Sequence, residues 1–300
     1  VVECLGACGS GPVMLLGDNS RTVSKAVSAK LAQINKTLPP GITADTVYDR
    51  TVLVDKTIAT VQKVLASRRI LIADGHHRYT TGLTYWRESG NPAAAFQMMA
   101  FTNLKQQGLV VLATHRVVGG IEGFEPREFL LRLTSGFTLM KIADRSDPRS
   151  KESAKQRMLA TMRTVHDRGE TPLGIYTGDG TFHVAVLKDK SLMKAAAPDK
   201  SEAWQTLDVA VLQKLILEGL LALDEERMGN SDFVEYIKDV PNAIDGIISQ
   251  IDAGAKQVAF FTNPVKMRQL VAVTDAGERM PHKSTYFFPK MYTGLTIQKL

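Results

Sequence analysis

The sequence predicts an α/β protein, a mixed α+β fold in which helices flank a central mixed sheet. Short apolar, β-prone runs alternate with stretches of helical spacing along the chain. A composition of 44% hydrophobic and 23% charged residues over 300 residues easily supplies a core.

The elements follow in order. Val23, Val27, Leu31, Ile34 and Leu38 recur at helical spacing, and Pro39-Pro40-Gly41 closes that helix. Val54, Ile58, Val61 and Leu65 repeat the pattern. Residues 69–73 read as a buried strand and 77–89 as a helix stopped by Gly90-Asn91-Pro92. Residues 96–101 are strand-like, and Leu109–Ala113 is an apolar strand running into Thr114-His115-Arg116. A polar His-Arg pair where a buried strand surfaces is a common place for binding groups. Helical spacing returns at 126–133 and 151–168. Residues 173–188 alternate about a Thr177-Gly178-Asp179-Gly180 turn, which predicts a hairpin. His166 and His183 fall in plain helix and strand contexts and read as structural or surface residues. The broad stripe Leu207, Val211, Leu212, Leu215, Ile216 and Leu220 predicts a core-facing helix over 203–222. A helix at 241–252, a strand at 258–261 and a helix at 264–275 opened by Asn263-Pro264 complete the series. Prolines at 281 and 289 make the last informative stretch, 278–290, an extended segment.

Composition excludes several classes of function. No apolar run is long enough to cross a bilayer, so the chain does not read as an integral membrane protein. With a net charge of +6 but scattered basic residues and no interleaved aromatics, nothing argues for a nucleic-acid face. Cys4 and Cys8, the only cysteines, fit a reducing, cytoplasmic setting rather than a disulfide framework. Val1 stands where an initiator methionine is expected, and the chain reads as a fragment. No Walker motif, kinase motif set or G-x-S-x-G elbow occurs.

The chemistry concentrates at Asp74-Gly75-His76-His77-Arg78, where an apolar run ends, glycine permits a sharp turn and a helical pattern begins. The first N–H groups of a helix lack partners and its dipole favours negative charge there. An arginine fork and two imidazoles at such a corner suit a phosphate or carboxylate. Two other readings stand beside this one. In one, Asp74 simply caps the helix while Arg78 pairs with a carboxylate; in the other, Asp74, His76 and His77 bind a metal. Adjacent helical histidines point about 100° apart, which makes a single metal awkward. The anion site leads. In the extended segment, His282, Lys283, Ser284 and Thr285 supply donors suited to an oxyanion, with Tyr286, Phe287 and Phe288 beside them. The bland alternative is an arm tied down by its aromatics.

Four resemblances follow from these residues. Glu3-Cys4-Leu5-Gly6-Ala7-Cys8-Gly9 is similar to a segment of the iron–sulfur subunit of respiratory NADH dehydrogenase, in which it supplies two of four cluster thiolates. Two cysteines cannot hold such a cluster within one chain. Gly17–Val23, Leu38–Ile42 and Tyr48–Ile58 resemble the porter region of heavy-metal efflux pumps of the resistance–nodulation–division class. Those pumps carry many membrane spans, and residues 1–65 therefore read as an atypical N-terminal segment, a borrowed or fused piece. From about Ala66 to Leu300 the chain resembles the DUF1015 family, through Ile72–Tyr79, Gly108–Arg116 and Met280–Lys290 in the right order. Its D-G-H-H-R corner is similar to that of the ParB/sulfiredoxin-like superfamily, which includes free-serine kinases.

These resemblances imply a 66–300 domain with a ParB/sulfiredoxin-like element in which Asp74, Gly75, His76, His77 and Arg78 face the phosphates of a nucleotide, ADP or ATP with Mg²⁺. Asp74, His76 and His77 would carry catalysis. Gly75, Arg78, His115, Arg116, His282, Lys283, Ser284 and Thr285 would bind phosphate or ligand. The expected function is binding of a nucleotide or phosphorylated small molecule, with phosphoryl transfer as its reaction. The alternatives are a non-catalytic ParB-like nucleotide sensor or DNA-associated protein, and a metal-dependent hydrolase.

Overall fold

The computed structural model describes residues 20–41, 43, 59, 63, 65, 70–95, 97, 99–104, 108–142, 148–178 and 180–290. The chain divides into two units, Val1–Gln107 with Lys290–Leu300 and Gly108–Pro289. The resembling segment with Cys4 and Cys8 lies outside the described residues.

In the first unit, α1 (Ser20–Asn35) takes the place the helical spacing predicts. It ends in a turn in which Thr37 N–H reaches Ile34 O, just before the prolines. Helix α2 (His76–Ser89) starts after Gly75 and stops at Gly90, both left-handed. The Gly90 N–H bonds Trp86 O at 3.1 Å, which closes the last turn. The predicted strand over 69–73 does not form in the described residues 70–73: Ile70 and Ile72 are 53% and 47% exposed. A β-prone run becomes a strand only where a partner completes its ladder, and no described strand pairs with this one. Residues 97 and 99–101 of the next predicted strand are likewise not in a sheet.

The second unit holds all eight strands found among the described residues. They are β1 (Val110–Leu112), β2 (Thr114–Val118), β3 (Phe137–Ile142), β4 (Pro172–Tyr176), β5 (Phe182–Leu187), β6 (Val234–Lys238), β7 (Val258–Phe261) and β8 (Tyr286–Phe288). Six form one sheet in the order β3-β5-β4-β7-β2-β6, and β1 pairs with β8. The α/β class is as predicted, but every pairing is antiparallel, so the sheet is not mixed. The predicted hairpin is β4–β5, with Tyr176 opposite Phe182 across the turn.

The helices are α3 (Pro126–Leu133), α4 (Pro148–Asp167), α5 (Ser191–Ala196), α6 (Glu202–Gln205), α7 (Asp208–Val211), α8 (Glu225–Gly229), α9 (Ala243–Asp252) and α10 (Met267–Asp275). Helix α4 repeats Ala154, Met158, Met162 and Val165 on one face. That face packs with Ile247, Ile248 and Ile251 of α9 on Tyr176, Phe182, Val184 and Phe261 of the sheet. Each of the buried Val, Ile, Met and Phe side chains contributes about 1.5–3 kcal/mol on burial. On the opposite face of the sheet, Phe129 of α3 meets Phe260 edge-on at 6.0 Å.

Two predicted helices are reshaped. The helix over 203–222 is broken into α6, α7 and a π-helix, Leu212–Glu218. Thr206 Oγ1 bonds back to Glu202 O at 3.0 Å, and the chain restarts at Asp208, which turns inward. Its stripe is still core: Leu207, Val211, Leu212 and Ile216 are buried. The helix expected from 264 begins at Met267, where Lys266 N–H bonds Gln269 Oε1 at 2.9 Å.

Candidate functional site

The corner of the first unit is built by Gly75. Its φ of 79° turns the chain into α2, and helical bonding starts with Tyr79 N–H to Gly75 O at 3.0 Å. The N–H groups of 76–78 precede the first intrahelical acceptor, and no side chain caps them. Asp74 is therefore not the cap. Its carboxylate instead holds two cations, Arg78 Nη2 at 3.5 Å and Lys290 Nζ at 3.0 Å. Arg78 folds over Gly75, with Nη2 2.8 Å and Nε 2.9 Å from where a Cβ would stand. Only glycine leaves the guanidinium that place. The His76 and His77 rings lie against each other with centroids 4.0 Å apart. Burial raises the Asp74 pKa, but Lys290, the Gly75 N–H and Arg78 together bring it below the ordinary carboxylate value. A carboxylate held below its ordinary range by two cations serves here to anchor them. Two cations against one carboxylate leave the corner net positive. Among the described residues, no group of three or more metal-ligating side chains exists.

The other predicted residues lie in the second unit. His115 and Arg116 do not surface after a strand, as expected, but sit inside β2, whose five residues are all buried. Successive strand residues face opposite sides, so the two do not share a site. His115 stands edge-on to Phe261 at 5.4 Å, accepts Thr262 N–H on Nδ1 at 3.3 Å, and places Nε2 3.5 Å from Asp239 Oδ1.

Arg116 faces the other way. It is 3% exposed, donates to the carbonyl oxygens of Thr114 and Lys283, and lies 5.4 Å from the Tyr236 ring centroid. No described carboxylate pairs with it, and burial lowers its pKa to about 10 despite the raising influence of Tyr236. Lys283 Nζ lies over the same Tyr236 ring at 4.5 Å. Lys238 Nζ, two residues along β6, lies over Tyr286 at 4.2 Å. Ser284 is buried with its Oγ unpartnered, while His282 is exposed and Thr285 half-buried. The structure thus brings Arg116 together with the 283–286 arm. It places Asp74, Gly75, His76, His77 and Arg78 in the other unit.

Sequence reasoning missed Tyr236 and Lys238, because it assigned no element to 234–238. The alternation of Val234-Glu235-Tyr236-Ile237-Lys238 was the available signal. It also missed a buried polar cluster in which His166 Nδ1 lies 3.2 Å from Asp208 Oδ2 and Asn263 Nδ2 donates to the same oxygen at 3.4 Å. Burial raises the Asp208 pKa, against the lowering influence of His166, Asn263 and Lys266. His166 is thus a buried residue with a structural partner.

A family model described as "Protein of unknown function (DUF1015)" matches residues 7–210. The match begins within residues 1–65. A separate likeness links 59 residues, 20% of this chain, to the cobalt-zinc-cadmium resistance protein CzcA of Cupriavidus metallidurans at 59% identity. Protein HelA of Legionella pneumophila matches over 59 residues at 54% identity. The chain spans 6% of the length of these relatives. Among solved structures, a free serine kinase in complex with AMP is 15% identical, with 81% of each chain covered and a TM-score of 0.36. A conserved hypothetical protein from Pyrococcus furiosus is 14% identical, covering 71% of this chain and 68% of that one, with a TM-score of 0.34. No helix among the described residues is long and apolar enough to cross a membrane.

Proposed function

This chain belongs to the DUF1015 family, described as proteins of unknown function, and we propose that it binds a nucleotide or phosphorylated small molecule at the Asp74–Arg78 corner as a cytoplasmic protein. The observation that carries this is the seating of Arg78 over Gly75 at the start of α2, with Lys290 on the far side of the same Asp74 carboxylate. A phosphate entering there meets the guanidinium fork, an ammonium and the opening N–H groups of a 14-residue helix. Asp74 holds the two cations in place. His76 and His77, exposed beside them, are the groups available to donate to a phosphate oxygen or to take a proton from an attacking hydroxyl. With ADP or ATP and Mg²⁺ as the phosphoryl source, this set supports transfer to a small-molecule hydroxyl, which is mostly a matter of positioning and charge stabilisation.

Thermal unfolding against ADP, ATP, CTP, serine and phosphoserine, with and without Mg²⁺, tests the reading. A ligand at 100 times its Kd adds about 2.7 kcal/mol. The expected result is that one nucleotide or phosphorylated compound stabilises the parent while Arg78→Ala and His77→Ala lose most of that gain. Equal stabilisation of parent and Arg78→Ala would remove the corner as the site.

A further inference from the structure

A guanidinium taken out of water is costly unless charge pairs with it. Arg116 is 3% exposed, and its partners among the described residues are two carbonyl oxygens and the Tyr236 ring. Its neighbours make the local field more positive rather than less. Tyr236 lies opposite Arg116 in the β2–β6 ladder and Lys238 lies opposite Thr114, so all four sit on one face of the sheet. The arm before β8 crosses that face, setting the Lys283 ammonium over Tyr236 and the Tyr286 ring under Lys238. None of Arg116, Lys238 and Lys283 has a carboxylate partner among the described residues. Glu235 of β6 alternates to the other face, and Asp239, just past the end of β6, stands beside His115 there.

The arm is held in the geometry this arrangement needs. Lys283 takes a left-handed φ of 52°, which is unusual for a residue with a Cβ, and its carbonyl oxygen receives Arg116 Nη2 at 3.4 Å. The next residue, Ser284, is buried with an unpartnered hydroxyl. A buried guanidinium fork, two ammonium groups and a hydroxyl, carried on aromatic rings, are complementary to an oxyanion with two or more negative charges. We infer that the β2–β6 edge and the 283–286 arm form an oxyanion-binding site for a phosphoryl or carboxylate group, with Arg116 as its buried anchor and Tyr236 as the platform for two of its cations. This site lies in the second unit and does not depend on the corner at Arg78.

Isothermal titration of the full chain with inorganic phosphate, pyrophosphate and succinate tests it. The expected result, read in an Arg78→Ala background so that the corner contributes no binding, is binding of at least one of them, weakened tenfold or more by adding Arg116→Met or Lys283→Met. Pyrophosphate bound more tightly than succinate identifies a phosphoryl ligand, and the reverse order identifies a carboxylate. Without ligand, the Tm of Arg116→Met is expected to equal or exceed that of the parent, because an unpaired buried charge has been removed. Lys283 is exposed, so Lys283→Met keeps the test open if Arg116→Met does not fold. Silence of the parent towards all three anions overturns the proposal, as does a loss of less than tenfold in the variants. Loss of binding in Arg78→Ala alone would overturn this site while supporting the corner.

Discussion

Gly75→Ala probes the corner with an internal control in the same helix. Gly75 and Gly90 flank α2 with φ of 79° and 62°. Either alanine meets the same backbone strain, roughly 1–2 kcal/mol for a left-handed residue with a Cβ. Stiffening of the unfolded chain returns roughly 0.4–1 kcal/mol of this. A net loss of about 0.5–1 kcal/mol lowers Tm by roughly 2–4 °C for a unit of somewhat more than a hundred residues. The two sites differ in what the new methyl meets. At Gly90 nothing lies within 4 Å, whereas at Gly75 it falls 2.8 Å from Arg78 Nη2 and 2.9 Å from Nε. The guanidinium is the free end of a flexible side chain, so it swings aside at little cost in stability and leaves the helix start. The expectation is therefore similar Tm losses in the two variants by thermal unfolding. Stabilisation by the nucleotide or phosphorylated compound that the corner binds should be largely lost in Gly75→Ala and kept in Gly90→Ala. If both variants keep it equally, the seating of Arg78 over Gly75 is irrelevant to binding, and the reasoning for the corner is refuted.

Two further perturbations test the second unit. The Asp208 carboxyl holds its proton to higher pH when folded than when unfolded, because burial disfavours the anion. The native state thus binds more protons above the ordinary value near 3.8, and Asp208 contributes stability at low pH that is lost as pH rises through the folded pKa. Urea unfolding across that window should show this fall in the parent and a flatter profile in Asp208→Asn; identical profiles would refute it. At Gly174 an added Cβ would lie 2.6 Å from Met162 Sδ and 3.0 Å from both Met158 Sδ and Phe261 Cβ. Gly174→Ala should therefore cost about 1–3 kcal/mol by overpacking, and an unchanged urea midpoint would show that α4 does not press on the sheet as described.

Much of the architecture is local and could be read from residue order. The bounds of α2 follow from two glycines, the β4–β5 hairpin from alternation about a Gly-rich turn, and α3 and α9 from apolar spacing. The Asp74–Arg78 corner belongs with these, since its residues are consecutive and its geometry is fixed by Gly75. Failures came where a partner decided the outcome. Residues 70–73 have the composition of a strand, yet no described strand completes their ladder. The stripe of 203–222 was correctly core, but the Asp208 contact with His166 and Asn263 interrupts its backbone.

The chain by itself determined the alternation of elements, the antiparallel hairpin and the cationic helix start, because each depends on residues a few positions apart and on backbone preferences that travel with them. Only the tertiary structure decided which face of β2 each polar side chain takes, what meets it and what does not. His115 and Arg116 are neighbours in sequence but occupy opposite sides of the sheet, since one residue of register exchanges every face. Arg116 meets Lys283 across 167 positions and shares Tyr236 with it. That pairing depends on the closing of the sheet and the passage of the arm, and such long-range geometry leaves no periodic trace in the sequence.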